Sequence, residues 1–113
     1  MEVTATAKYV RVSPRKLRLV LDTVRGKKVD EALTLLKFIP NSAASMIATV
    51  VKSAAANAEN NFQMEPADLR IVRTYAGEGR RLKRFRAAAR GRAARRVHRT
   101  SHITVVVEEQ EAS

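Results

Sequence analysis

Between Arg80 and Arg99 the chain carries ten Lys or Arg residues in twenty positions and no acidic residue. Nothing constrains the fold more, because charges of one sign at that density repel and cannot be packed onto one another in a core. The segment must stand outside the body that the rest of the chain builds. Of 22 basic and 11 acidic residues in the 113, ten basic ones lie in this arm, so the other 93 residues set 12 basic against 11 acidic. A near-neutral body with so basic an arm calls for a polyanion. Neutralised phosphates release condensed counterions, so binding is expected to be strong at low salt and to fall steeply as salt rises. A solvated face that merely aids solubility would suit four or five charges better than ten. Nine of the ten are Arg, whose planar fork donates bidentately to phosphate and stacks on bases.

The length allows one domain with a modest core, and an apolar content of 45% excludes wholesale disorder. The absence of cysteine excludes a disulfide framework and a thiolate metal site, and it points to a reducing cytoplasm. The opening MEVTATAKYV has neither the basic nor the sustained apolar region of a secretory signal. The most apolar stretch, Ala43 to Val51, is interrupted by Ser45 and Thr49 and falls short of the roughly 20 residues a bilayer needs. No membrane partner is expected.

Along the chain the first ten residues alternate, with Val3, Ala5, Ala7 and Tyr9 on one side, which predicts a half-buried strand. Ser13 and Pro14 then suit the N-cap and first position of a helix whose core face is Leu17, Val20, Leu21 and Val24, with Arg15, Arg18 and Arg25 opposite and Gly26 to end it. A second helix is predicted from an Asp30 N-cap through Ala32, Leu33, Leu35, Leu36 and Ile39 to Pro40. A third, capped by Asn41 or Ser42, buries Ala43, Ile47, Val50, Val51, Ala54 and Ala58 and frays at Asn60 and Asn61. Leu69 to Ala76 and Ser101 to Glu108 are β-rich without clean alternation, so burial on both faces for part of their length is expected.

About 24 residues separate these last two strands, too many for a tight turn, and they are the basic arm. Leu82, Phe85, Ala89, Ala93 and Val97 fall near helical spacing, yet Gly77, Gly79 and Gly91 oppose a continuous helix and the flanking strands favour a two-stranded ribbon. Ten residues each way would project some 30 Å at roughly 3.3 Å per residue. The expected fold is α+β: three helices packed on a small three-stranded, mainly antiparallel sheet, with a long protruding basic β-hairpin. It is one domain over 1–113, the body being 1–76 and 100–113 and the arm about 77–99.

No catalytic constellation stands out. His98 and His102 are four apart, but His102 enters a strand and no cysteine or nearby acid joins them, so phosphate or base contact, or plain surface, is favoured over a metal. Asp30 and Glu31 are explained by a helix start. No phosphate-cradling glycine motif occurs. No enzyme, cofactor or small-molecule substrate is therefore expected. A second basic cluster, Lys8, Arg11, Arg15, Lys16, Arg18, Arg25, Lys27 and Lys28, is opposed only by Asp22. The two clusters hold 18 of the 22 basic residues and imply two contact areas on one polyanion. Recognition helices, zinc-finger ligands and a set of stacking aromatics are all lacking, and a reaching arm suits structured RNA, which has crevices, better than a uniform duplex. The alternative is a nucleoid-type architectural DNA-binding protein with paired basic β arms.

Four runs in order carry a resemblance over nearly the whole chain: YVRVSPRKLRLVLDTVRGKKVDEAL (Tyr9 to Leu33), KSAAANAENN (Lys52 to Asn61), LKRFR (Leu82 to Arg86) and ARGRAARRVHRTSHITVVV (Ala89 to Val107). The chain closely resembles the bacterial large-subunit ribosomal protein family L-twenty-two. The resemblance implies an α+β body seated on large-subunit ribosomal RNA during assembly. It also implies a long hairpin that passes between RNA segments, lines the nascent-peptide exit tunnel and lies near the protein of family L-four. Carried over by position, RNA would meet Arg84, Arg86, Arg90, Arg92, Arg95, Arg96 and Arg99, with Arg80, Arg81, Lys83 and His98 beside them. Ser101 and His102, where the arm rejoins the sheet, and the helix start Ser13, Pro14, Arg15 and Lys16 would face RNA too. The tip facing the tunnel and its nascent peptide would be Arg86, Ala87, Ala88, Ala89, Arg90 and Gly91. Here Ala87 and Ala88 replace the Pro and Arg usual in the family, and Arg80 follows Gly79 where Pro is common.

Overall fold

A strand that alternates, followed by three helices with apolar stripes, can bury everything apolar by laying the helices on one face of a sheet. That is the arrangement found. The computed structural model describes residues 2–40, 42–78, 82–87, 93–98 and 100–109, the two arm strands by their backbone. Its order is β1 (Glu2–Val10), α1 (Pro14–Val24), α2 (Val29–Lys37), α3 (Ser42–Phe62), a 3-10 turn (Pro66–Asp68), β2 (Leu69–Glu78), β3 (Leu82–Ala87), β4 (Ala93–His98) and β5 (Ser101–Glu109). Strands β1, β5 and β2 form an antiparallel sheet in that order, and β3 pairs with β4 in a separate antiparallel ladder. The α+β expectation holds.

The core lies between that sheet and the helices. Val3 and Ala5 from β1, Leu69 and Ile71 from β2, and Ile103, Val105 and Val107 from β5 meet Leu17, Leu21 and Val24 of α1 and Ile47, Val51, Ala54 and Ala58 of α3. The alanines in the second half of α3 let its backbone approach the sheet closely. Each fully buried Leu, Ile or Val contributes about 1.5–3 kcal/mol relative to exposure. On the far face no helix packs among the described residues, and Thr4, Thr6, Lys8, Tyr75 and Gly77 stand in solvent.

Helix boundaries follow local chemistry with adjustments: α2 ends at Lys37, before Ile39, and α3 continues through Asn60 and Asn61 to Phe62. Ser13 occupies the N-cap position of α1 and Pro14 its first turn, but the Ser13 side chain makes no capping bond. Helix α2 begins at Val29 with Lys28, not Asp30, at the cap, because residue 28 is held against β2 by a bridge to Arg70. Gly26 ends α1 with a φ of 83°, the left-handed conformation that glycine adopts at no steric cost. Its N–H donates to Ile71 O at 2.8 Å, and Ile71 N–H donates to Lys27 O at 3.0 Å. The helix exit is thereby sewn to the outer edge of β2.

The missing alternation in β2 and β5 has two causes. In β2 the register slips between Ile71 and Arg73, so the buried set changes from Leu69 and Ile71 to Thr74 and Ala76. In β5 the run Val105 to Val107 is buried on both faces. On the open face Arg73 pairs with Glu2 of β1, spanning β5 where Val106 is 6% exposed.

Strand β2 runs on toward the arm. Glu78 faces Ser101 and Leu82 faces His98, so the register slips by one more residue between the body ladder and the arm ladder. The arm ladder pairs Lys83 with Val97, Arg84 with Arg96, Phe85 with Arg95, Arg86 with Ala94 and Ala87 with Ala93. The ribbon was the right choice over a helix. Arg86 and Ala87, expected in the tip, are the last two residues of β3, while Ala88, Ala89, Arg90 and Gly91 lie outside the described residues. The molecule measures 68 × 27 × 17 Å, with a radius of gyration of 17.3 Å. A compact chain of this length would have one of about 13 Å.

Candidate nucleic-acid interface

The direction of α1 brings the first basic cluster to the end of the sheet from which the arm leaves. Arg18 Nη2 donates to Ala76 O at 2.8 Å, Arg25 Nε donates to Thr74 Oγ1 at 3.2 Å, and Lys28 bridges Arg70. As α1 advances, its β2 partners recede, so the helix runs antiparallel to β2 with its N-terminus at the arm end of the sheet. Ser101 Oγ donates to Val12 O at 2.5 Å, which fixes the β1–α1 connection at the same end. Arg11, Arg15 and Lys16, all exposed, therefore surround the arm's root. The first turn of α1 carries no acidic residue, so the positive end of its dipole adds to theirs.

A basic stripe continues from there along the edge of β2. Arg18 covers an outward backbone carbonyl at Ala76, Arg25 holds the Thr74 side chain, Lys27 and Lys28 lie against the strand's first half, and Arg70 Nη1 donates to Gly26 O at 3.0 Å. Arg25 also pairs with Asp22 at 2.9 Å. These bonds protect a sheet edge and fix guanidinium groups in place. Each guanidinium has five N–H donors, so the intramolecular bonds leave others for phosphate. Arg70, Arg73 and Tyr75 join this surface without having been singled out in the sequence. The signal for the two arginines was their place in a β-rich run with alternating polarity, which the bulge at Val72 scrambles.

Lys8 is exposed on the open sheet face, and His102 is half-buried on that face opposite Gly77. Ser101 is a correction: it is 0% exposed and its hydroxyl is committed to Val12 O, so it holds the arm's root and has no surface for RNA. Ser13 is half-buried at the start of α1. Lys83, Arg84 and Arg86 stand on β3, and Arg95, Arg96 and His98 on β4. Arg80, Arg81, Arg90, Arg92 and Arg99 lie outside the described residues. Among the described residues no three His, Cys, Asp or Glu gather as metal ligands.

Residues 5–108 match the family model described as ribosomal protein L22p/L17e. The chain belongs to that family. It is 59% identical over 110 residues to the large ribosomal subunit protein uL22 of Clostridioides difficile (strain 630), covering 97% of this chain and 99% of the relative. Identity is 54% over 110 residues to the uL22 of Clostridium novyi (strain NT), with the same coverage. It is 58% over 107 residues to that of Dehalococcoides mccartyi (strain CBDB1), covering 95% and 98%. Membership of the L22p/L17e family makes this a structural ribosomal protein and not an enzyme, and it displaces the nucleoid-type alternative.

Proposed function

We propose that the chain is a structural constituent of the large ribosomal subunit in the bacterial cytoplasm, where it binds several segments of large-subunit ribosomal RNA and aids their assembly. Its hairpin passes between RNA segments and lines the nascent-peptide exit tunnel beside the protein of family L-four, with the tip expected at Arg86, Ala87, Ala88, Ala89, Arg90 and Gly91 facing the tunnel and its peptide. The observation that carries this reading is the convergence of Arg11, Arg15, Lys16 and Arg18 on the root of a ribbon whose own basic residues have no acidic neighbour in sequence. Such a surface cannot be neutralised from within. Phosphates entering from several directions neutralise it, and an arm of this length reaches segments that the body does not touch.

The test is deletion of Arg80 to Arg99. The shortened protein is expected to keep the circular dichroism of a folded body and to lose specific protection of large-subunit ribosomal RNA in footprinting. Unchanged protection by the deleted protein would refute the proposal.

A further inference from the structure

Five large apolar side chains are exposed among the described residues: Leu19, Phe38, Met46, Phe62 and Tyr75. Two of the three aromatic ones are poorly placed for RNA. Phe38 lines a groove with Asp30 and Glu31, whose charges repel phosphate, and Phe62 stands at the end of α3, whose last turn carries no basic residue. Tyr75 is different. It is 53% exposed on β2, next to the arm's root, and it borders a groove of about 410 Å³ lined by Arg18, Asp22, Arg25, Thr74 and Gly77.

The alternation of β2 sets the geometry. Thr74 and Ala76 are buried toward the helices, so Tyr75 and Gly77 stand on the open face. Gly77 has no side chain, and a Cβ built there would meet nothing within 4 Å, so the space beside Tyr75 is clear. Over the strand's edge lie the guanidinium groups of Arg18 and Arg25, already held by Ala76 O, Thr74 Oγ1 and Asp22. Groups fixed in advance lose little further freedom on binding. An aromatic ring with clear space beside it, and two fixed forks around the corner, match the two halves of a nucleotide: a flat base and a phosphate. The groove's size is within the range of pockets that hold small ligands.

The geometry points to a seat for one unpaired nucleotide at the root of the arm, its base stacked on Tyr75 over Gly77 and its phosphate held at the β2 edge by Arg18 and Arg25. This rests on the proposed RNA-binding role and adds to it a base contact within a surface otherwise read as phosphate-binding. Stacking tolerates any base, so the seat selects an unpaired nucleotide rather than a sequence. It would fix the angle at which the arm leaves the body.

The full chain and its variants are to be bound to large-subunit ribosomal RNA transcript, with affinity measured across a salt series and contacts mapped by footprinting. Tyr75→Ala is expected to weaken binding about tenfold. It should leave the salt slope unchanged, because no phosphate contact is lost. One nucleotide should lose protection while the arm's footprint remains. Tyr75→Phe, which keeps the ring, should recover most of the loss. Gly77→Leu, which fills the clear space without changing charge, should weaken binding to a similar degree, with circular dichroism confirming that both variants fold. Affinity of Tyr75→Ala or Gly77→Leu within twofold of the parent would overturn the seat, as would an equal loss in Tyr75→Phe. Failure of the RNA-binding role itself looks different: the parent chain would show neither specific protection nor salt dependence.

Discussion

Arg18 and Arg25 show how one side chain type serves fold and function together. Arg18 donates to a carbonyl on the edge of β2 and Arg25 to the Thr74 hydroxyl, and both keep donors for an outside anion. Ser101 does the opposite, since its short hydroxyl is consumed entirely within the protein. Ser101→Ala leaves Val12 O without its donor in a partly buried setting, and it is expected to cost about 1 kcal/mol in urea unfolding while the RNA affinity of the folded protein stays as it was. A drop in affinity without a drop in stability would restore Ser101 to the interface. Gly26 is the other residue whose identity is dictated locally. An alanine there meets nothing within 4 Å, so its cost is backbone strain alone at a φ of 83°. Left-handed conformation costs an L-residue about 1–2 kcal/mol, partly offset by the lower entropy of the unfolded alanine chain. Gly26→Ala should therefore lower stability by about 1 kcal/mol, read as an earlier urea midpoint with an unchanged slope.

At the scale of elements the arm is held in register against its own charge. Arg84 and Arg96 are direct cross-strand partners, and like charges so placed destabilise a ladder by a few tenths to about 1 kcal/mol. A phosphate at that pair turns the repulsion into two attractions. Arg84→Gln should reduce the slope of log affinity against log salt by about 1, the signature of one lost phosphate contact. An unchanged slope would remove Arg84 from the RNA-binding set. The helices and body strands were legible because apolar spacing and the Ser13, Pro14 and Gly26 signals agree on the same boundaries. The bulge at Val72 and the slip before Leu82 were not, because a register is a relation between two strands and neither strand encodes it alone. Charge counting found the basic clusters, but only the antiparallel run of α1 along β2 reveals that the first lies at the end of the sheet from which the arm leaves. Tyr75 carries no charge and so gave no signal at all.

The whole molecule is a body with a handle, 68 Å in its longest direction. Its two parts have separate sources of stability. The body rests on apolar burial between the helices and the β1-β5-β2 sheet, whereas β3 and β4 pair with each other and form a ladder of their own. Deleting Arg80 to Arg99 joins Gly79 to Thr100 between the register partners Glu78 and Ser101. That junction is a two-residue loop with glycine first, the sequence that a type II′ hairpin turn prefers. The deletion thus converts the arm into a tight turn without disturbing the body ladder. The shortened chain should unfold cooperatively with a stability within about 1 kcal/mol of the parent, since the core among the described residues is already closed between the helices and the β1-β5-β2 sheet. Small-angle scattering should give it a radius of gyration near 12 Å, the value for a compact chain of its length, against 17.3 Å for the full chain. A large loss of stability on deletion would mean that the arm supports the body, and the protein could then not be divided into a seat on RNA and a probe through it.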